Sequence, residues 1–223
     1  MYKHFFKRVI DFLLALTALI ILFPFLLPIC IILLLTGEHE VFYLQKRIGH
    51  KNKHFKIWKF ATMLKNSENM GNGSLTVRND PRVTTVGKFL RKTKINELPQ
   101  LINVLIGNMS FVGARPQMEV DFLKFPEHAQ KVVYNTNPGI TGIGSIIFRD
   151  EEKWTSSSED PHEFDKNHIA PYKGELEIWY QENISFWTDS KILFCTAWVV
   201  IFSKSELPYK IFKGLPEKPE VFS

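Results

Sequence analysis

The sequence predicts a mainly α-helical protein with a few short strands, in which a re-entrant N-terminal membrane helix precedes a compact cytosolic domain with interfacial amphipathic helices. Three observations predict it. The run from Val9 to Leu35 is apolar almost throughout but contains Pro24 and Pro28. Leu98, Leu101, Ile102 and Leu105 repeat at helical spacing in the middle of the chain. The segment from Ile184 to Phe202 is aromatic and apolar, and its Trp187 and Trp198 are amphipathic rings of the kind favoured at a bilayer surface.

A straight helix over the first of these runs would be about 40 Å long, more than the ~30 Å that a hydrocarbon core requires. Length alone therefore reads as a transmembrane span. Basic residues lie on both sides, Lys3, Lys7 and Arg8 before it and Lys46, Arg47, Lys51, Lys53, Lys56 and Lys59 after it. The positive-inside tendency pulls both ends to the cytoplasm, and a helical hairpin that leaves by the leaflet it entered satisfies length and charge together. Proline supplies the bend, since it has no amide hydrogen and its ring clashes with the carbonyl four residues back. A proline-kinked transmembrane anchor is the alternative. A cleaved signal peptide fits less well, because the run is too long and no small-residue cleavage site follows.

The 223 residues suffice for one membrane element and one compact domain, divided as 1–40, 41–207 and a tail at 208–223. A formal net charge of +5 suits a protein on anionic lipid that handles phosphorylated ligands. Nucleic acid is not the expected partner: the basic residues cluster beside the apolar run, and no zinc-finger or RNA-binding signature occurs. Cys30 and Cys195 lie far apart in apolar segments, which argues against a disulfide framework or a metal site. The seven histidines are scattered and read as surface residues.

Along the chain, Val41 to Leu44 and His54 to Met63 read as β-like stretches, and Lys65 to Asp80, rich in Asn, Ser and Gly, as a loop. A helix is expected from about Thr84, ending in the basic run Arg91, Lys92 and Lys94. The next one has Asn96 as its N-cap, Pro99 in its first turn and Gly107 as its stop. Its N-terminus would present free amides and partial positive charge at Asn96 and Glu97, which favours an anion. In GNMSFVGARP, glycines and a proline bracket Arg115, which can offer its fork to phosphate or pair with Glu119. Pro138 to Gly144 is a glycine-rich turn around Thr141 that could cradle a phosphate through backbone amides. Asp150, Glu151 and Glu152 form either a divalent-cation site or a solvated turn. Tyr172 to Tyr180 is helix-like. In the following segment Ile192, Leu193, Thr196, Val199 and Val200 share a face, which makes it interfacial or a core helix. Pro208, Pro216 and Pro219 mark an irregular tail.

These pieces together resemble the bacterial sugar transferases, the monotopic phosphoglycosyl transferases. The resemblance runs through FKRVIDF, QKRIG, FKIWKFATM, NDPRVTTVGKFLRKTKINELPQLINVLIGNMSFVGARP, PGITG and WYQENISFWTDSKIL, nearly the whole chain. It implies transfer of a phospho-sugar from a nucleotide diphosphate sugar to polyprenyl phosphate at the cytosolic face of the bacterial inner membrane, the committing step of capsule, O-antigen or exopolysaccharide synthesis. Membrane lipids are further partners, and a homo-oligomer is compatible with the sequence. The resemblance also implies magnesium, and an Asp-Glu pair whose aspartate forms a covalent phospho-sugar intermediate.

Here the pair is Asn96-Glu97, and an amide has no anionic oxygen with which to attack. Asn108, Ala114, Ala61 and Asn137 also depart from the usual pattern, whereas Glu97, Arg115, Pro116, Lys59, Asp80, Arg82 and the PGITG turn with Gly139, Thr141 and Gly142 keep to it. Phe23 precedes Pro24 where a serine is frequent. Three hypotheses follow: an enzyme in which Glu97 or a carboxylate among Asp150, Glu151 and Glu152 supplies the nucleophile or metal ligand; an enzyme in which the lipid phosphate attacks the donor directly and Asn96 orients it; and a catalytically silent membrane module that binds a nucleotide sugar or scaffolds an assembly.

Overall fold

A computed structural model of the chain describes residues 2–67, 70, 80–155, 158, 160–202 and 205–222. The loop read over Lys65 to Asp80 lies mostly outside them, as does the side chain of Glu152. A π-helical turn over Tyr2–Phe6 leads into α1 (Lys7–Leu35). There follow β1 (Phe42–Ile48), β2 (His54–Phe60), α2 (Thr85–Lys92), α3 (Gln100–Ile106) and β3 (Ser110–Val112). Next come α4 (Glu119–Phe122), α5 (Glu127–Gln130), β4 (Gly139–Thr141), α6 (Ile143–Ile147), α7 (Glu151–Thr155) and α8 (Pro161–Phe164), then α9 (Ala170–Glu182), α10 (Phe186–Ile201) and α11 (Leu207–Ile211). The mainly helical class with short strands is the one the sequence predicts. Helical backbone continues through Pro24 and Pro28, so both prolines act inside one helix.

Two compact units emerge. The first contains Met1–Asp11, Lys46–Phe55 and Ile106–Ser223, the second Phe12–Gln45 and Lys56–Leu105. In the second, Leu26, Ile29, Cys30 and Leu33 line one stripe of α1 and pack with Phe60 of β2, Leu90 of α2, Val41, Val86 and Ile95. Much of the rest of that helix keeps its apolar side chains exposed, among them Leu13, Ile20, Ile21, Phe23, Phe25 and Leu35. By length and composition it can cross a membrane. A soluble core helix would bury most of those side chains, since solvent-exposed apolar surface of this extent is rare in water-soluble monomers.

Helix α2 starts where expected. Thr84 Oγ1 accepts from the Gly87 N–H at 3.0 Å, satisfying one of the orphan donors of the first turn. Gly87 is required there, because a Cβ would stand 2.2 Å from the Thr62 carbonyl oxygen. The following segment differs from expectation. Asn96 is not an N-cap but the centre of a 3-10 turn over Ile95–Glu97, and α3 begins only at Gln100. The amides of Glu97, Leu98, Leu101 and Ile102 bond to carbonyls three residues back, and Pro99 has no amide to give. The anion-binding helix end read at Asn96 and Glu97 is therefore absent, since the Glu97 and Leu98 amides are already used.

Asn103 fastens α3 to the strand. Fully buried, its Oδ1 accepts from the Trp58 N–H at 2.9 Å and its Nδ2 donates to the Lys56 carbonyl at 2.8 Å, an amide standing in for a neighbouring strand. Asn103→Ala is expected to lower stability by about 1–3 kcal/mol, because two backbone groups lose their partners. A thermal midpoint within error of the wild type would refute that.

In the first unit, Ile143 and Ile146 of α6, Leu176 and Tyr180 of α9, and Ile192, Cys195 and Val199 of α10 form the main core. The buried face of α10 thus runs through Asp189, Ile192, Cys195 and Val199, while Leu193 and Val200, grouped with Ile192 and Val199 on one face in the sequence reading, are exposed. The expected glycine-rich turn is strand β4, which pairs parallel to β3 with Ser110 opposite Gly139 and Val112 opposite Thr141. Nor is the tail irregular throughout. Helix α11 forms, and Phe212 and Phe222 are buried in the main core, Phe222 meeting Phe148, Trp154, Phe164 and Tyr172 edge-on or stacked. Aromatic burial of this size outweighs the prolines' tendency to keep a chain extended.

Candidate active site

The second unit gathers most of the charged residues that sequence reasoning selected. Lys59, near the end of β2, faces Glu97 with Nζ 3.7 Å from Oε1, and both side chains are largely but not completely buried. Next in sequence to Glu97, Asn96 is buried, and its Oδ1 has no hydrogen-bond partner among the described residues. The Gln100 Nε2, one turn on, is likewise buried without a partner. Arg82 grips Asp80 through Nε and NH2, the latter at 2.6 Å, while its NH1 donates to the carbonyls of Ser67 and Met70.

Arg91 was missed as a site residue, having been read as part of a basic helix end. Its NH1 lies 3.4 Å from Thr62 Oγ1, and Asp80 and Glu97 act on it electrostatically. Burial pulls its guanidinium below the ordinary arginine value, against the upward pull of those two carboxylates. The available signal was spacing: Gly87, Leu90 and Arg91 are three and four residues apart, and Gly87 and Leu90 form the buried side of α2.

The other selected residues belong to the first unit. Arg115 is exposed and its carbonyl accepts from the buried Tyr134 hydroxyl at 2.8 Å. The carbonyl of Pro116 accepts from Arg47 at 3.4 Å. Gly139 and Gly142 permit backbone-to-backbone packing, since a Cβ on either would stand 2.2 Å from a backbone atom of Gly113. The Gly139 amide bonds to Ala114 and the Gly113 amide to Thr141, so these amides hold the strand pair. Thr141 is buried, with its hydroxyl 2.7 Å from that of Thr196. Trp187 is exposed at the start of α10. Trp198 packs against the core, and its indole N–H donates to Ser205 at 3.0 Å.

Among the described residues no three of His, Cys, Asp and Glu converge as a metal-binding group. Asp150 is exposed, and Glu151 is paired with Lys173 at 2.8 Å. Among the oxygen groups at the candidate site are the Glu97 carboxylate and the Asn96 Oδ1, which has no hydrogen-bond partner among the described residues, while Asp80 is engaged by Arg82. The first two fit a magnesium ion that takes the rest of its shell from a diphosphate and water, the usual manner for this ion.

A different carboxylate carries the clearest electrostatic signature. Glu177 of α9 is 2% exposed, and burial pushes its carboxyl up to about 7 although Lys173 and the Gly144 amide favour the ionised form. The folded state thus holds this proton more tightly than the unfolded chain, whose carboxyl titrates near 4.5. Its contribution is fully present below pH 4.5 and is lost as pH rises through 7, on the order of 3 kcal/mol. Glu177→Gln is expected to stabilise the protein at pH 8 and to have little effect at pH 4.5. A midpoint difference that does not grow across that range would exclude the buried acid as its source.

The profile of the family described as bacterial sugar transferase matches residues 2–203 of this chain. The chain belongs to the bacterial sugar transferase family. Among similar proteins, this sugar transferase is 36% identical over 203 residues to the uncharacterized sugar transferase EpsL of Bacillus subtilis, covering 89% of the chain and 88% of that protein. It is 34% identical over 194 residues to the UDP-N-acetylgalactosamine-undecaprenyl-phosphate N-acetylgalactosaminephosphotransferase of Aeromonas hydrophila, covering 86% of the chain. Against the UDP-glucose:undecaprenyl-phosphate glucose-1-phosphate transferase of Klebsiella pneumoniae it is 34% identical over 202 residues, 90% of the chain. The chain spans only 43% and 41% of those two longer relatives.

Proposed function

We propose that the chain transfers a sugar 1-phosphate from a nucleotide diphosphate sugar to polyprenyl phosphate, at the cytosolic face of the bacterial inner membrane. One observation carries the reading. The turn bearing Asn96 and Glu97 packs through Ile95 onto the same cluster as the protein-facing stripe of the apolar helix, with Lys59 facing Glu97. A phosphate-handling group tied to a membrane-length helix suits a reaction between a soluble donor and a lipid acceptor. The names of the Aeromonas and Klebsiella relatives, both transferases to undecaprenyl phosphate, support the same substrates. The helix itself is read as re-entrant, because both of its flanks are basic.

The acceptor phosphate is its own nucleophile. It is anionic near neutral pH, so no base has to create it. One of its oxygens bonds to the β-phosphorus of the donor, the bond from that phosphorus to the bridging oxygen breaks, and nucleoside monophosphate leaves with the electron pair. Lys59 and Arg91 oppose the charge on the transferring group, and Glu97 fixes Lys59. Asn96 orients a phosphate through its amide. Magnesium, held by Glu97 and Asn96 Oδ1, would neutralise diphosphate charge when bound.

The test incubates full-length protein with undecaprenyl phosphate and a panel of radiolabelled nucleotide sugars. Acceptor-dependent release of nucleoside monophosphate from at least one donor is expected. Binding of a donor, seen as a raised thermal midpoint, with no release from any would replace the enzyme by a catalytically silent nucleotide-sugar-binding module. Intact mass after incubation with donor alone reads the route, since an added phospho-sugar would mean that a carboxylate such as Glu97 attacks the β-phosphorus first and nucleoside monophosphate leaves before the acceptor arrives.

A further inference from the structure

The first unit contains a cleft of about 230 Å³ lined by Lys3, Lys7, Arg8, Asp11, His50, Ser110 and the run Asn135, Thr136 and Asn137. Its charge can be counted. The lining carries Lys3, Lys7 and Arg8 against Asp11, and with the Asp189 that pairs with Lys7 included the formal charge is one net positive before His50 is considered. Lys3 has no ion-pair or hydrogen-bond partner among the described residues. The Ser110 hydroxyl is buried beside Asp11 and helps to keep that carboxylate ionised. Asn137 is turned by its Nδ2, which donates to the Gly107 carbonyl at 2.9 Å. Gly107 itself has φ +93°, and a Cβ on it would stand 3.1 Å from the Arg8 guanidinium, so the glycine leaves that fork its place.

An uncompensated ammonium, an arginine fork and hydroxyl and amide groups around a small polar cavity are the donors that recognise phosphate. Volume restricts the ligand, because sites for whole drug-sized molecules start near ~300 Å³. Position restricts it further. Lys3, Lys7, Arg8 and Asp11 occupy the turns immediately before the apolar run of α1, the depth at which headgroups lie if that helix enters a bilayer. We propose that this cleft binds the phosphodiester headgroup of a membrane phospholipid, whose single negative charge matches the one net positive charge of the lining. The proposal rests on the membrane reading of α1 given above. It adds a lipid site on the first unit that holds the helix start at the surface.

The test uses the full chain in an uncharged maltoside detergent. Short-chain phosphatidylglycerol, diacylglycerol of equal chain length, inorganic phosphate and undecaprenyl phosphate are titrated separately against the thermal midpoint, for wild type and Lys3→Gln. Saturable stabilisation by phosphatidylglycerol alone is expected, weakened about three- to tenfold in Lys3→Gln. Equal stabilisation by diacylglycerol, or an unchanged affinity in Lys3→Gln, would overturn the site. Stabilisation by inorganic phosphate without phosphatidylglycerol would overturn the lipid, and a Lys3-dependent response confined to undecaprenyl phosphate would make the cleft an acceptor site instead. Flotation with vesicles separates the two readings. A chain that fails to float removes the membrane reading, whereas one that floats with headgroup-indifferent binding removes only the cleft.

Discussion

Asp189→Ala is expected to lower the stability of the protein by about 3–5 kcal/mol, the cost of leaving a buried charge without its partner. Asp189 is 5% exposed and Lys7 6%, and the Lys7 ammonium bonds to Asp189 Oδ2. The same oxygen accepts from the Tyr2 hydroxyl at 2.7 Å, and Oδ1 accepts from the buried Tyr180 hydroxyl at 2.8 Å. One carboxylate therefore joins the start of the N-terminal helix, α9 and α10. Removing it leaves the Lys7 ammonium and the Tyr2 hydroxyl without that acceptor and the Tyr180 hydroxyl with only the Val112 carbonyl at 3.2 Å, and domains of this size have only about 5–15 kcal/mol in total. The measured result should be a fall of roughly 10 °C in thermal midpoint in detergent. Pairing the change with Lys7→Met should recover part of the loss, because no unpaired charge then remains. A double variant no more stable than Asp189→Ala would mean that the tyrosines, not the ion pair, carry the effect.

That role was not legible in the sequence, where Asp189, Ser190 and Lys191 read as a polar interruption of an apolar segment. A helical period reports which residues share a face but not that a polar residue on the buried face has a cation waiting 182 positions away. Asn103 is a second instance: within LINVLIG it occupies the polar gap of an amphipathic pattern, yet it is fully buried because β2 needs a partner on that side. Local signals did better. The Thr84 cap, the strands near Phe42 and His54 and the helix from Ala170 follow from spacing within a few residues. Asn96 was misread as a cap because the cap signature ignores Pro99, which favours bonds three residues back over the usual four. PGITG was misread as a turn because glycine signals both a turn and a close backbone approach, and only the partner Gly113 decides between them. Lys59 and Glu97 could be selected from the family motifs alone, but their mutual approach depends on the clamp between Asn103 and β2.

Glu97→Gln is expected to reduce turnover to below about a thousandth of wild type, the scale on which removal of one electrostatic element at a phosphoryl-transfer site is felt. The Glu97 carboxylate lies 3.7 Å from the Lys59 ammonium, and in the proposed reaction it would also give magnesium an anionic oxygen. Glutamine keeps the shape and loses both. Because Glu97 is partly exposed, its pairing with Lys59 contributes little to folding, and the variant should melt within about 1 kcal/mol of wild type. Loss of activity without loss of stability is the discriminating pattern. Wild-type turnover would remove Glu97 from the mechanism. The companion change, Asn96→Asp, replaces a buried oxygen that has no hydrogen-bond partner with an anionic one, next to a site that already holds Lys59 and Arg91. Turnover equal to or above wild type is expected, and an added phospho-sugar in the intact mass of that variant alone would mean that the missing carboxylate, not the surrounding geometry, keeps the native chain from the covalent route. A large loss of rate would instead give the amide of Asn96 a function of its own, orienting a phosphate that a second anion would repel.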